Sequence, residues 1–317
     1  MGGWLAGAAF FAISTACAAQ GFPERPIRII VPLTPGGSPD TIARAIAQGL
    51  QGSWNQPAVV ENRTGGSQNI GADLVAKSVP DGYTWLLAPD NVFSVNPHLG
   101  KQPFDPLNDL QPVTEVARIQ FLLVVHPDVP ANSVAELIAY AKSKPGELNF
   151  GSSGNGSPQH LGATLLQVLG GIKMNHVPYK GAAPAIADLL PGRIQVWIGA
   201  ANTLLPHTKE GKLRLLASSA PERFANLGGV PAIAETVPGY ALDPWLGLFV
   251  PAKTPQDIVA KIHAEVARIL GGTELKARLG PQGIELVTNS PADFARFIRD
   301  DHAKWGKLIK EAGIRGD

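Results

Sequence analysis

Two short segments rich in glycine and serine carry the most specific chemistry in this 317-residue chain. Gly36-Gly37-Ser38 and Ser152-Ser153-Gly154-Asn155-Gly156-Ser157 each lie between an apolar, strand-like run and a segment of helical period. Ligands of open α/β sheets collect at that strand-to-helix edge. A helix start there presents unpaired N–H groups and a partial positive charge, so it holds an anion without Lys or Arg. Glycine lets the backbone approach closely. Two such loops in two candidate domains imply one anion gripped from both sides.

Other chemistries fail on the same residues. Gly154-Asn155-Gly156 continues to Gln159 where a dinucleotide fingerprint needs a third glycine, and the chain contains no phosphate-loop pattern and no Gly-x-Ser-x-Gly elbow. The histidines are scattered with no pair three or four apart, and Cys17 is the only cysteine, so no dedicated zinc site and no cofactor is expected. His160, one turn into its helix, either faces the cleft or packs beneath it. Tyr179 and Lys180, at the exit of a strand, either donate to the anion or form an ordinary strand end. Trp245 either walls the cleft or fills the core, and Asp300-Asp301 is expected on a solvated helix face.

The elements that position these residues alternate as strands and helices, which predicts an α/β architecture with largely parallel sheets. Strands are expected at Ile27 to Val31, Ala58 to Val60, Tyr83 to Ala88, Phe121 to Val125, Leu148 to Gly151, Asn175 to Pro178 and Ile194 to Ile198. Helices are expected from Ser38, with Ile42, Ile46 and Leu50 on one face, and over Asn69 to Lys77, Pro158 to Leu169 and Ala182 to Leu190. Ser133 and Glu136 form a capping box. Ser38-Pro39, Ser157-Pro158, Thr254-Pro255 and Ser290-Pro291 share one grammar, in which a hydroxyl caps the helix and Pro takes the first helical position.

With 27 basic and 26 acidic residues in no long like-charged run, the chain offers no surface for nucleic acid. Residues 1–20 read as a secretory signal: there is no charged side chain from Met1 to Gly21, and an apolar run from Trp4 to Ile13 precedes small residues at Ala16-Cys17-Ala18-Ala19. Acylation of Cys17 is the alternative. No later stretch is long and apolar enough to span a bilayer, so no stable membrane insertion is expected.

The ordered set Ile30-Val31-Pro32, Pro35-Gly36-Gly37 with Asp40, Val60-Glu61-Asn62-Arg63, Pro80-Asp81-Gly82-Tyr83-Thr84, Ser152-Ser153-Gly154 with His160-Leu161, His176 to Gly181 and Trp245-Leu246-Gly247 resembles the Bug (TctC-like) receptors of tripartite tricarboxylate transporters. The resemblance runs from about Phe22 to Ile314. It implies a two-lobed periplasmic-binding-protein (Venus flytrap, type II) fold joined by two crossover strands, with one lobe from residues 22–122 plus 248–317 and the other from 123–247. It also implies a periplasmic, non-catalytic receptor that passes a small carboxylate to membrane permease subunits; a sensor that reports to a signalling partner is the alternative. Its ligand loops map onto Gly36, Gly37 and Ser38 opposite Ser152, Ser153, Ser157 and His160, with Tyr179 nearby. Asp90 and Asn91 are the polar candidates for the distal end. Gly199-Ala200-Ala201-Asn202 holds no acid where some relatives place one, which points away from an amino acid and towards a plain mono- or dicarboxylate.

Overall fold

The computed structural model describes residues 21–224, 228–311 and 314, so the expected signal segment and Cys17 lie outside the described residues. β1 (Ile27–Val31) leads into α1 (Ser38–Trp54), β2 (Ala58–Asn62), α2 (Asn69–Ala76) and β3 (Thr84–Pro89). Ile42, Ala43, Ile46 and Leu50 form the buried stripe of α1, and every residue of β3 is buried. Short helices α3 (Asn91–Ser94) and α4 (Asn96–Leu99) precede the long β4 (Leu110–Ile119). β5 (Phe121–Val125), α5 (Val134–Ser143), β6 (Asn149–Ser152), α6 (Pro158–Gly170), β7 (Asn175–Pro178), α7 (Ala182–Leu189), β8 (Val196–Ala200), α8 (Ala201–Lys209) and β9 (Arg214–Ser218) follow. The chain closes with β10 (Trp245–Pro251), α9 (Gln256–Leu270), α10 (Thr273–Leu279), β11 (Ile284–Leu286) and α11 (Pro291–Glu311).

These strands form two sheets, ordered β11-β4-β10-β3-β1-β2 and β7-β6-β8-β5-β9. The βα repeats predicted from sequence give the parallel pairs, β1 with β2 and β3, and β6 with β7 and β8. The expectation of largely parallel sheets does not hold elsewhere. β10 runs antiparallel to β3 and β4, and β5 runs antiparallel to β8 and β9, because the chain passes from one sheet to the other and back in opposite directions.

The passage out occupies one residue. Gln120 N–H donates to Gly283 O of the first lobe at 2.8 Å, while its carbonyl accepts from Ala201 N of the second at 2.8 Å. The chain re-enters the first sheet at Trp245.

Large side chains anchor each half: Trp85, Phe93, Trp245 and Phe249 in the first, and Phe150 and Trp197 in the second, all essentially fully buried. Burying a side chain of this size is worth roughly 1.5–3 kcal/mol relative to leaving it in water. β4 is held by a polar lock. Thr114 Oγ1 donates to Asn289 O (2.9 Å), Glu115 N donates to Asn289 Oδ1 (2.9 Å), and Asn289 Nδ2 donates to Glu115 Oε2 (3.1 Å).

Only two of the four expected hydroxyl caps form. Ser157 Oγ accepts from His160 N and Ser290 Oγ accepts from Asp293 N. Thr254 Oγ1 instead donates back to Pro251 O, and Ser38 is itself the first helical residue, with Gly37 at the cap position. In the α5 box Ser133 accepts from Glu136 N as expected, but the Glu136 carboxylate reaches Asn132 N, one residue further out.

Candidate functional site

The strand-to-helix edges of the two sheets face each other across a cavity of about 130 Å³. The first lobe contributes Leu33 and Thr34 after β1, Gly37 to Pro39 at the start of α1, and Pro89 to Asn91 after β3. The second contributes Ser153, Ser157 to Gln159 at the start of α6, and Gly181 and Ala182 at the start of α7. Where the chain crosses between lobes, Ile119, Phe121, Pro244, Trp245 and Leu246 close the cavity. Thus the starts of α1 and α6, picked out from sequence, open into one space.

The lobes also touch directly. Ser38 Oγ donates to Asn202 Oδ1 at 3.2 Å and Ser67 Oγ to Asn155 O at 3.5 Å. Gly156 sits at φ +73° against α4, a conformation that favours glycine, and a Cβ there would lie 2.7 Å from Leu99 Cδ1, whose side chain would have to shift.

Of the residues expected to bind ligand, Gly37, Ser38, Asn91, Ser153 and Ser157 line the cavity. The other four are not part of that lining. Gly36, at φ +88°, donates its N–H to Asp40 Oδ2 at 3.1 Å. Buried Ser152 shares a 2.6 Å hydrogen bond with His176 Nε2, accepts from Gly154 N and donates to Gly154 O. His160 accepts from Gly156 N through Nδ1 and stacks on His176 with ring centroids 4.1 Å apart, in a column that includes Phe150. Tyr179 donates its hydroxyl to Asp188 at 2.8 Å; burial and that carboxylate push the phenol up to about 12. Ser152 and His160 hold the backbone of the loop between Ser153 and Ser157 through their bonds to Gly154 and Gly156.

Trp245 does both things that the sequence left open. It lines the cavity, and it is fully buried, stacking on Phe93 with its Nε1 donating to Asp301 Oδ2 at 2.9 Å. Asp301 therefore supports the cleft wall, and the expectation of a merely solvated face fails for it. A residue on α11 far from β10 in sequence offered no local signal for that bond.

The wall at β3 is electrostatically unusual. Asp90 is buried at the cavity, with Oδ1 accepting from Asn91 N at 2.7 Å. Burial, reinforced by the charges of Asp301 and Asp243, holds its carboxyl well above the ordinary carboxylate range, against the opposing pull of the Asn91 and Trp245 backbone. Lining residues missed from sequence include Gln68, Thr203 and Gln159. Gln159 was legible as the second residue of a Pro-started helix aimed at the sheet edge. Among the described residues no group of three His, Cys, Asp or Glu side chains is placed to hold a metal, and no helix is long and apolar enough to cross a membrane.

Two α/β lobes joined by two crossing strands, with helix starts converging on an interlobe cleft, define a periplasmic-binding-protein fold. Residues 42–314 match the tripartite tricarboxylate transporter family receptor (TctC), and the chain belongs to that family. It is 35% identical to protein BugT of Bordetella pertussis over 96% of this chain and 94% of that protein. Among solved structures, R. palustris Rpa4515 with adipate superposes with a TM-score of 0.89 at 37% identity, covering 93% of this chain and all (100%) of that one. MatC from Rhodopseudomonas palustris with bound malate gives a TM-score of 0.84 at 29% identity, covering 91% and 100%.

Proposed function

We propose that this chain is exported to the periplasm, captures a small carboxylate between its lobes and delivers it, unchanged, to the membrane permease subunits of a tripartite tricarboxylate transporter. The cargo is a mono- or dicarboxylate or an aromatic acid. One observation carries the reading: the starts of α1 and α6, from different lobes, line a single cavity at Gly37-Ser38 and Ser157-Pro158. Helix starts hold an anion with backbone N–H groups, so the carboxylate is gripped from both lobes without a cationic side chain. Relatives of this fold bound to adipate and malate support a carboxylate as the cargo class. Closure of the lobes by a hinge motion then buries the anion.

A thermal-shift screen of the chain against mono-, di- and tricarboxylates and aromatic acids tests this. An acid at about 100 times its dissociation constant stabilises the folded state by roughly 2.7 kcal/mol, a shift that a receptor must show for at least one acid class. Turnover of the bound acid would instead make the protein an enzyme.

A further inference from the structure

We propose that the cleft selects a carboxylate whose far end carries a hydrogen-bond donor, a hydroxyl or an ammonium group, over one that ends in a second ionised carboxylate. This deepens the receptor reading and rests on it. The observation that carries it is Asn91. Its side chain is 1% exposed and lines the cavity, yet Oδ1 is buried with no hydrogen-bond partner among the described residues. The amide orientation is set by its other end, because Nδ2 faces two acceptors, Gln68 Oε1 and Asn96 Oδ1. A buried acceptor left unmet is costly, and a ligand donor placed against it removes that cost.

A second orphan comes independently from the other lobe. Gln159 lines the same cavity, and its Oε1 is likewise buried without a partner. Between them the wall carries Asp90, which feels the charges of Asp301 and Asp243. Nearby cations are engaged elsewhere: Arg118 lies 3.6 Å from Asp243 and bonds Glu115, and Lys304 acts on Asp243. No Lys or Arg is among the described residues that line the cavity. A second carboxylate at this wall meets two unmet acceptors and the field of Asp301, with no Lys or Arg on the lining to offset it, an arrangement that like-charge repulsion penalises. A hydroxyl or ammonium meets partners. A ligand ammonium, which finds no acid at Gly199 to Asn202, would instead meet Asn91 Oδ1 on the opposite lobe, one strand over from the α1 start, since β3 neighbours β1.

Titration calorimetry on the chain with matched acids of equal length, each ending in carboxylate, hydroxyl or ammonium, tests the assignment. At least one donor-bearing acid is expected to bind about tenfold or more tighter than its dicarboxylate counterpart. Asn91→Leu, which removes the unmet acceptor, should shrink that preference by about tenfold, each acid being compared with an unsubstituted alkanoate on the same variant. Gln159→Met, on the second lobe and outside the first lobe's core, should shrink it too, so the test survives if Asn91→Leu fails to fold. A dicarboxylate bound as tightly as both donor-bearing partners overturns the inference, as does a preference that neither variant alters. If no acid binds at all, the receptor reading fails and takes this inference with it, an outcome distinct from the other two.

Discussion

The two walls of the cleft use the same device, a Pro-started helix aimed at the sheet edge, and satisfy it differently. On the second lobe Ser157 spends its hydroxyl on the backbone N–H of His160, and the stacked His160 and His176 fix the turn from behind. On the first lobe the α1 start has no side-chain cap; Ser38 sends its hydroxyl across the cleft to Asn202, while Asp90 and Asn91 Oδ1 are buried at high cost. One wall is a finished scaffold, with Gln159 Oε1 as its exception. The other keeps its own unmet acceptor, Asn91 Oδ1, beside the buried carboxyl of Asp90, and such groups are where ligand recognition is expected to reside.

The largest test of this contrast is Gly37→Phe. A Cβ at Gly37 meets only Pro39 Cδ at 3.6 Å, so the fold should tolerate it, but the ring fills the α1 side of the cavity. The expected result is loss of acid binding by about 100-fold or more, about 2.7 kcal/mol, with the unfolding midpoint retained. Ser153→Phe should do the same from the finished wall. Normal binding by both variants would remove the proposed site.

Asp90 should be visible in the pH dependence of stability. Its folded-state value lies above the ordinary 3.8, so the folded chain holds a proton that the unfolded chain has released. Its contribution is therefore intact below about pH 4 and is lost as pH rises through the raised value, with a slope of at most about 1.4 kcal/mol per pH unit. Glu115 and Asp243 are raised by burial with the same sign, so the informative quantity is the difference between wild type and Asp90→Asn in denaturant titrations across pH. The variant should show the flatter profile. An identical profile would mean that Asp90 is ordinary and the two walls are electrostatically alike.

Smaller effects separate the two serines. Ser157→Ala removes a cap and should cost about 1 kcal/mol of stability in urea unfolding. Ser38→Ala caps nothing and should change stability by no more than about 0.5 kcal/mol, its effect appearing instead in acid affinity. Equal losses of stability would show that the α1 hydroxyl is structural after all.

What sequence could reveal follows the range of each signal. Local grammar was legible: the strand at Ile27 to Val31 has the expected bounds, α2, α6 and α7 fall within a residue of theirs, and both glycine-serine loops reach the cavity. β4 escaped because Pro112, Thr114, Glu115 and Arg118 break the apolar alternation, and its Thr114 and Glu115 depend in part on Asn289 from a distant loop. Tyr179 and His160 sit in motifs that gather at the site, yet whether a ring faces a cavity or its own scaffold depends on partners such as Asp188 and His176, which spacing does not encode. The orphaned Oδ1 of Asn91 has no sequence signature, since it is defined by what fails to approach it.

Gln120 has one consequence for how such a cleft would be read by its cargo. Its N–H is tied to one half of the molecule and its carbonyl to the other, so a closing motion turns about a fixed pivot. Displacement about a pivot grows with radius. Ile119 and Phe121, its neighbours in the chain, would scarcely move, while residues of the facing helix starts, such as Gly181, whose Cβ would lie 3.5 Å from Thr34 Oγ1, would move against each other. Such a device works like a caliper: the jaw near the axle sets the size and chemistry that fit, and the far tips register that something has been gripped.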